Sequence, residues 1–359
     1  MSERQRMVLR AVVAAYVAEA APASSATISH LLAVPLSSAS IRNTFAELSR
    51  YGLIEKPHSS AGRVPTAVGL REFLDHLLEA PELAEYERRA LQTSFDQFDA
   101  GAVIEATSQL LCERTRLLGF ALAPRIERMV LRHVSLVRMG RDKLLVVLVP
   151  QTGPVQQQLI DEVEVTDQAE LDRMAASLNE RVAGRTLPVV RALLTRELLA
   201  LRSEARSLLA RSLALGLRVF GRTHPVDSGL VLSSWTELLR QPEFDDPDRV
   251  RGLLAALETS ERLLEVVGRM LDGETDALSI SLGEELDEPA LRQCAIVAIP
   301  YGGSGHPYAG AKESLNRSSE ATDGPMGVLG VIGPSRMDYA RIIPLVSYCS
   351  QLVTEKLSA

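Results

Sequence analysis

Aromatic side chains make up only 4% of the 359 residues, with a single Trp, so the hydrophobic core must rest on Leu, Val, Ile and Ala. Cysteine is nearly as scarce. Cys112, Cys294 and Cys349 are far apart and odd in number, which excludes both a zinc-type ligand spacing and a disulfide framework and favours a reducing, cytoplasmic setting. No apolar run is long enough to span a membrane. The N-terminal "MSERQRMVLRAVVAAYVAEAAPASSA" imitates a secretory signal, with a basic start, an apolar middle and an A-P-A. Arg10 interrupts that run and Glu19 closes it, while Val8, Ala11, Val12 and Tyr16 recur at helical spacing, so the segment reads as an amphipathic helix.

What is present is the composition of a folded soluble chain, 46% hydrophobic and 24% charged, and its length implies two or three domains. The net charge of −7 excludes a protein that coats nucleic acid over its whole surface. The charge is uneven, however. Residues 1–78 carry eight Arg and Lys against six Asp and Glu, leaving 31 against 40 for the remainder. A mildly basic head on an acidic body suits one small contact surface.

Within the head, a second helix is expected after Pro22, capped by Ser24 or Ser25, carrying Ile28, Leu31 and Leu32 to the core and stopped by Pro35. Ser37 or Ser38 caps a third, "SSASIRNTFAELSRYG", with Ile41, Phe45 and Leu48 on one face and Ser38, Ser40, Arg42, Asn43 and Glu47 flanking it. Two short helices joined by a tight turn form a helix-turn-helix pattern. After Gly52, "LIEK" and "RVPT" read as short strands around "PHSSAG", so residues 57–66 fall where the wing of a winged helix belongs. Arg42 and Asn43 are the natural base readers, because Arg can bridge guanine O6 and N7 and Asn adenine N6 and N7. Ser38 and Ser40 are short enough for phosphates or base edges. In the loop, Ser59, Ser60 and Arg63 suit phosphate contacts, Gly62 allows close backbone approach, and His58 either packs the wing base or joins the contact.

The stretch "SSASIRNTFAELSRYGLIEKPHSSAGRVPTAVGLREFLDHLL" resembles the HrcA family of heat-inducible transcription repressors, as do "GVLGVIGPSRMDYARII" and, more loosely, "QPEF" and "GEE". The likeness spans nearly the whole chain. Ser40 stands where that family commonly has Thr, Thr44 and Phe45 replace a usual Glu-Met pair, and "PASSATI" lacks the usual glycine and lysine. The resemblance implies an α+β multidomain fold: an N-terminal winged helix-turn-helix over 1–78, a GAF-like α+β domain over 100–126 and 226–359, and an inserted α/β dimerising domain over about 127–225, with the GAF-like sheet as the alternative home of the three strands in that last segment. It further implies a homodimer on an inverted-repeat operator in double-stranded DNA at chaperone operons, and a chaperonin partner that keeps the repressor active.

In the body, strands are expected at "MVLRHVSLVRM", "KLLVVLVP", "PVQQQLIDEVEV", "ALSISLG", "CAIVAIPYG" and "MGVLGVIG", and helices over 79–118, 167–182 and 337–357. The segment from "VLSSWTELL" to "VVGRML" reads as two helices broken between Pro242 and Pro247. His133 reads as a strand-surface residue, and the polar 302–324 stretch as a mobile loop. Its "GGSG" is no phosphate loop, since no Gly-Lys-Ser/Thr opens a helix after it. Arg336 and Asp338 fit the start of the last helix better than a ligand site. No Ser/His/Asp set, metal spacing or dinucleotide fingerprint emerges, so neither an enzyme nor a cofactor is expected. A regulator whose GAF-like domain senses a metabolite is the alternative.

Overall fold

The computed structural model describes residues 1–34, 36–58, 61–79, 81–99, 101–123, 129–139, 143–151, 155–161, 167–200, 208–221, 230–234, 236–244, 278–286, 291–302 and 326–358. Three helices open the chain, each started by a serine. For α1 (Glu3–Glu19), Ser2 and Gln5 form a reciprocal capping box. Ser24 caps α2 (Ser25–Leu31) and Ser37 caps α3 (Ser38–Arg50), each accepting a backbone N–H three residues on. Val8, Leu9, Val12, Ile28, Ile41, Phe45 and Leu48 close the core between them. Leu31 departs from expectation and stands 53% exposed. The reason is local: α2 has only seven residues, and Ile28 is its one buried side chain.

Gly52, in the left-handed region at φ 69°, turns the chain out of α3 into β1 (Ile54–Glu55), which pairs antiparallel with β2 (Val64–Pro65). Ala23 and Arg63 exchange backbone hydrogen bonds of 2.9 and 2.8 Å and extend this ribbon to the link between α1 and α2. Thr66 then caps α4 (Ala67–His76), its hydroxyl also donating to the Gly52 carbonyl at 2.5 Å.

Beyond α5 (Glu85–Asp96) and α6 (Val103–Thr115) lies a strand that the sequence pattern does not reveal, β3 (Leu118–Leu122). All five of its residues are buried, so it shows no polar alternation. Arg116 at φ 59° ends α6 and makes the turn into it. β3 does not pair with the next strands. Instead β4 (Val130–Arg138), β5 (Lys143–Pro150), β6 (Gln156–Asp161) and the two-residue β7 (Arg185–Thr186) form their own antiparallel sheet in the order β6-β5-β4-β7. Helices α7 (Gln168–Val182), α8 (Leu187–Ala200) and α9 (Leu208–Gly221) share a separate core with one face of it.

The chain then returns to β3. Another unforeseen strand, β8 (Leu230–Leu232), pairs with it, and β9 (Ser279–Leu282), β10 (Cys294–Tyr301) and β11 (Gly327–Pro334) complete a five-stranded antiparallel sheet in the order β8-β3-β11-β10-β9. The expected helix before Pro242 shrinks to one turn, α10 (Thr236–Leu239). The final helix, α11 (Tyr339–Ser358), runs through Pro344 and covers one face of the sheet beside α6. That face and the N-terminal helices share one continuous hydrophobic cluster, while the opposite face packs on Leu238, Phe244, Leu286 and Leu291. The whole is a mixed α+β fold with several sheets. The 303–325 part of the loop expected to be mobile, and the helix expected after Pro247, lie outside the described residues.

Candidate nucleic-acid interface

One face of α3 buries Ile41, Thr44, Phe45 and Leu48, which fixes the other face outward. Thr44 keeps its hydroxyl satisfied by donating to the Ser40 carbonyl at 3.1 Å. Ser38, Arg42 and Asn43 are exposed and Ser40 is half-buried, so the structure brings all four to the accessible side of one helix. Capping falls to Ser37, which accepts from the Ser40 N–H at 3.2 Å, and leaves the Ser38 hydroxyl without that duty. Glu47 would repel phosphate were it not engaged: it accepts from Gln5 Nε2 at 2.8 Å and lies 3.6 Å from Arg4.

The ribbon places the remaining candidates differently. His58 is exposed, Ser59 and Ser60 lie outside the described residues, and Arg63 is half-buried at the base of the loop. Its guanidinium sits 5.9 Å from the centroid of the Phe45 ring, and its Nε is buried with no hydrogen-bond partner. Arg63 therefore links the ribbon to α3. Gly62 is needed for a reason other than approach to a ligand. A Cβ there would stand 2.3 Å from the Ala23 carbonyl oxygen and 2.8 Å from that of Pro22, so only glycine lets the ribbon close on the α1–α2 link.

The pairing of the arginines is selective. Of the seven in residues 1–78, Arg4 lies beside Glu47, Arg6 beside Glu3, Arg10 beside Glu79, and Arg71 between Asp75 and Glu285. Arg42, Arg50 and Arg63 have no carboxylate partner among the described residues, and all three lie on α3 or the ribbon. The arginines elsewhere in the head are thus paired with carboxylates, while those on α3 and the ribbon are not, among the described residues. Arg50 and Lys56 are also exposed, basic residues on α3 and beside β1 that no motif singles out.

A family model described as the HrcA protein C terminal domain matches residues 101–343. The chain belongs to the HrcA family of heat-inducible transcription repressors. Relatives bearing the name heat-inducible transcription repressor HrcA are similar end to end. The one from Geobacter sulfurreducens is 34% identical over 99% of this chain and 98% of its own, and the one from Chromobacterium violaceum 32% identical over 100% and 99%. A solved structure titled as that of a hypothetical protein superposes over 100% of this chain and 99% of its own with a TM-score of 0.59 at 22% identity, a likeness of fold.

In this HrcA chain the head is tied to the body from both sides. Arg71 on α4 reaches Glu285 and the Ile280 carbonyl, and Arg336 after β11 reaches Glu243, Gln241 and, at 3.3 Å, the Val17 carbonyl of α1. Arg336 was expected at the start of α11. Only Asp338 serves there, accepting from the Arg341 N–H at 3.3 Å. Burial raises the pKa of Tyr16 at this joint, and Glu243 adds to the effect.

Proposed function

We propose that the protein is a transcription repressor that binds an inverted-repeat operator of heat-shock chaperone operons as a homodimer and is kept active by a chaperonin. The head acts as a winged helix-turn-helix over 1–78, with α3 in the major groove and the 57–66 loop as the wing. The observation that carries this is the segregation of Arg42, Arg50 and Arg63, without carboxylate partners among the described residues, onto α3 and the ribbon. Arg42 and Asn43 read bases; Ser38, Ser40, His58, Ser59, Ser60 and Arg63 hold the backbone. A GAF-like domain over 100–126 and 226–359 supports the head, and the 127–225 insertion supplies the dimer contact.

Sheet register supports the dimer. β5 buries Leu144, Val146 and Leu148 toward the helices and turns Leu145, Val147 and Val149 the other way. Val137 pairs with Leu145 and Leu145 with Leu159, so a row of apolar side chains crosses three strands on a face outside that core; Val137 is 38% exposed and Leu159 45%. A second copy of the same face is the complementary occupant. Action on chromosomal operators places the protein in the cytoplasm, and no helix among the described residues is long and apolar enough to cross a membrane.

Footprinting of the purified protein on the chaperone promoters of its own genome tests function, symmetry and site size together. Protection of two half-sites about one helical turn or a multiple apart is expected. Absence of protection, or binding indifferent to both warming and chaperonin, overturns the corresponding part of the reading.

A ligand-sensing role has one supporting feature, a cleft of about 200 Å³ between head and body lined by Tyr16, Glu243, Arg292 and Arg336. A small metabolite that raises the melting temperature and is defeated by Arg292→Ala would establish it.

A further inference from the structure

We propose that Ser25, at the first position of α2, is a positioning residue that aims Arg42 at a base edge. The inference rests on the reading that α3 enters the major groove. Ser24 and Ser25 are adjacent, and the structure divides their labour. Ser24 Oγ accepts from the Thr27 N–H at 3.1 Å and lies 2.9 Å from the Thr27 hydroxyl, so the helix is capped without Ser25. Ser25 Oγ instead accepts from Arg42 Nε at 3.4 Å, joining the two helices of the motif through their polar sides.

Arginine carries four rotatable side-chain bonds, and ordering such a chain on binding costs affinity. Holding Nε restricts the guanidinium before DNA arrives. It also selects which edge is offered: with Nε engaged, the Nη1 and Nη2 groups remain as an end-on fork, the geometry that matches guanine O6 and N7. No carboxylate among the described residues competes for that fork. The Ser25 hydroxyl, acting as acceptor toward Arg42, keeps its own proton for a phosphate oxygen at the groove edge. Alanine cannot supply this contact, whereas threonine can.

The test uses the full-length protein and the inverted repeat it selects from random duplexes, with every base pair of one half-site then substituted in turn. Arg42→Ala is expected to flatten the preference at one base pair. Ser25→Ala is expected to reduce discrimination at that same base pair by about three- to tenfold, the worth of one hydrogen bond, with an unchanged melting temperature. Ser25→Thr should restore it, and Ser25→Ala combined with Arg42→Ala should match Arg42→Ala alone. Full discrimination by Ser25→Ala beside a flattened Arg42→Ala profile overturns the inference and spares the groove reading, as does a loss spread equally over all sequences. An unflattened Arg42→Ala profile overturns both.

Discussion

Arg71 and Glu285, 214 positions apart in the chain, form a two-point ion pair: Nε lies 3.1 Å from one carboxylate oxygen and Nη2 2.6 Å from the other. The same Nη2 donates to the Ile280 carbonyl at 2.8 Å, and Glu285 also accepts from the Leu282 N–H at 2.9 Å. The planar guanidinium thus spans α4 and the β9 edge of the body, a task lysine performs poorly. With side chains 31% and 44% exposed, solvent screens the pair. Arg71→Ala should lower stability by about 1 kcal/mol. It should also speed proteolysis within residues 81–99; limited trypsin digestion with a melting curve checks both.

Gly62→Ala should be far more damaging than Gly101→Ala. The first places a methyl group against backbone oxygens of Ala23 and Pro22, which cannot rotate away, whereas the second finds nothing within 4 Å. A cost of about 1–3 kcal/mol is expected at Gly62, together with weakened operator binding as the ribbon is pushed from the α1–α2 link. Thermal melts and binding isotherms of the two variants, taken side by side, decide this.

Arg63→Ala should weaken binding to all duplexes and reduce the dependence of log affinity on log salt by about one unit. Because the guanidinium also lies near Phe45, the variant should lose about 0.5–1 kcal/mol of stability as well. A titration series from low to high salt, paired with urea unfolding, separates the two effects. An unchanged salt slope would place the wing away from the phosphates.

Leu159→Lys should leave the fold intact and separate the subunits, since the side chain is 45% exposed on the apolar row of β4, β5 and β6. Analytical ultracentrifugation of the variant and the parent measures this. A parent that sediments as a monomer, or a variant that stays dimeric, removes the β-sheet face from the assembly.

All three cysteines are buried, and burial pushes the thiols of Cys294 and Cys349 up to about 12. Native protein should react slowly with thiol reagents at pH 8 and rapidly once denatured. The raised values also give a sign for alkaline stability. The unfolded thiols ionise from about pH 9 while the folded ones stay neutral, so this stabilisation is complete below pH 9 and is lost progressively toward pH 12. Melting temperatures between pH 8 and 11 should therefore fall.

The helices of the head were legible because each carries its own signals: a capping serine at Ser24 and Ser37, and apolar residues at Ile41, Phe45 and Leu48. The β1–β2 ribbon followed from Gly52 and the two short runs around 57–63. β3 was hidden because Leu118–Leu122 is buried on both faces, which erases the period of two that marks a strand. Arg336 was misplaced for a different reason. Its principal partner, Glu243, lies 93 positions away, and local pattern carries no information about so distant a contact. The exposed polar face of α3 was readable from its apolar spacing, while the bond from Arg42 to Ser25, the burial of Arg63 and the constraint on Gly62 required the packing of one element against another.

The pairing of β3 with β8 has a consequence for the order in which the protein is made. β3 leaves the ribosome early, yet its sheet neighbours β8 and β11 follow only after the whole segment from β4 to α9 has been synthesised. During that interval Leu118, Phe120 and Leu122, all buried at the end, have no strand beside them. The four-stranded sheet with its local hairpins can close first, and the five-stranded sheet must wait for the last third of the chain. Each new chain therefore carries an apolar strand edge without its sheet neighbours until β8 and β11 have been made.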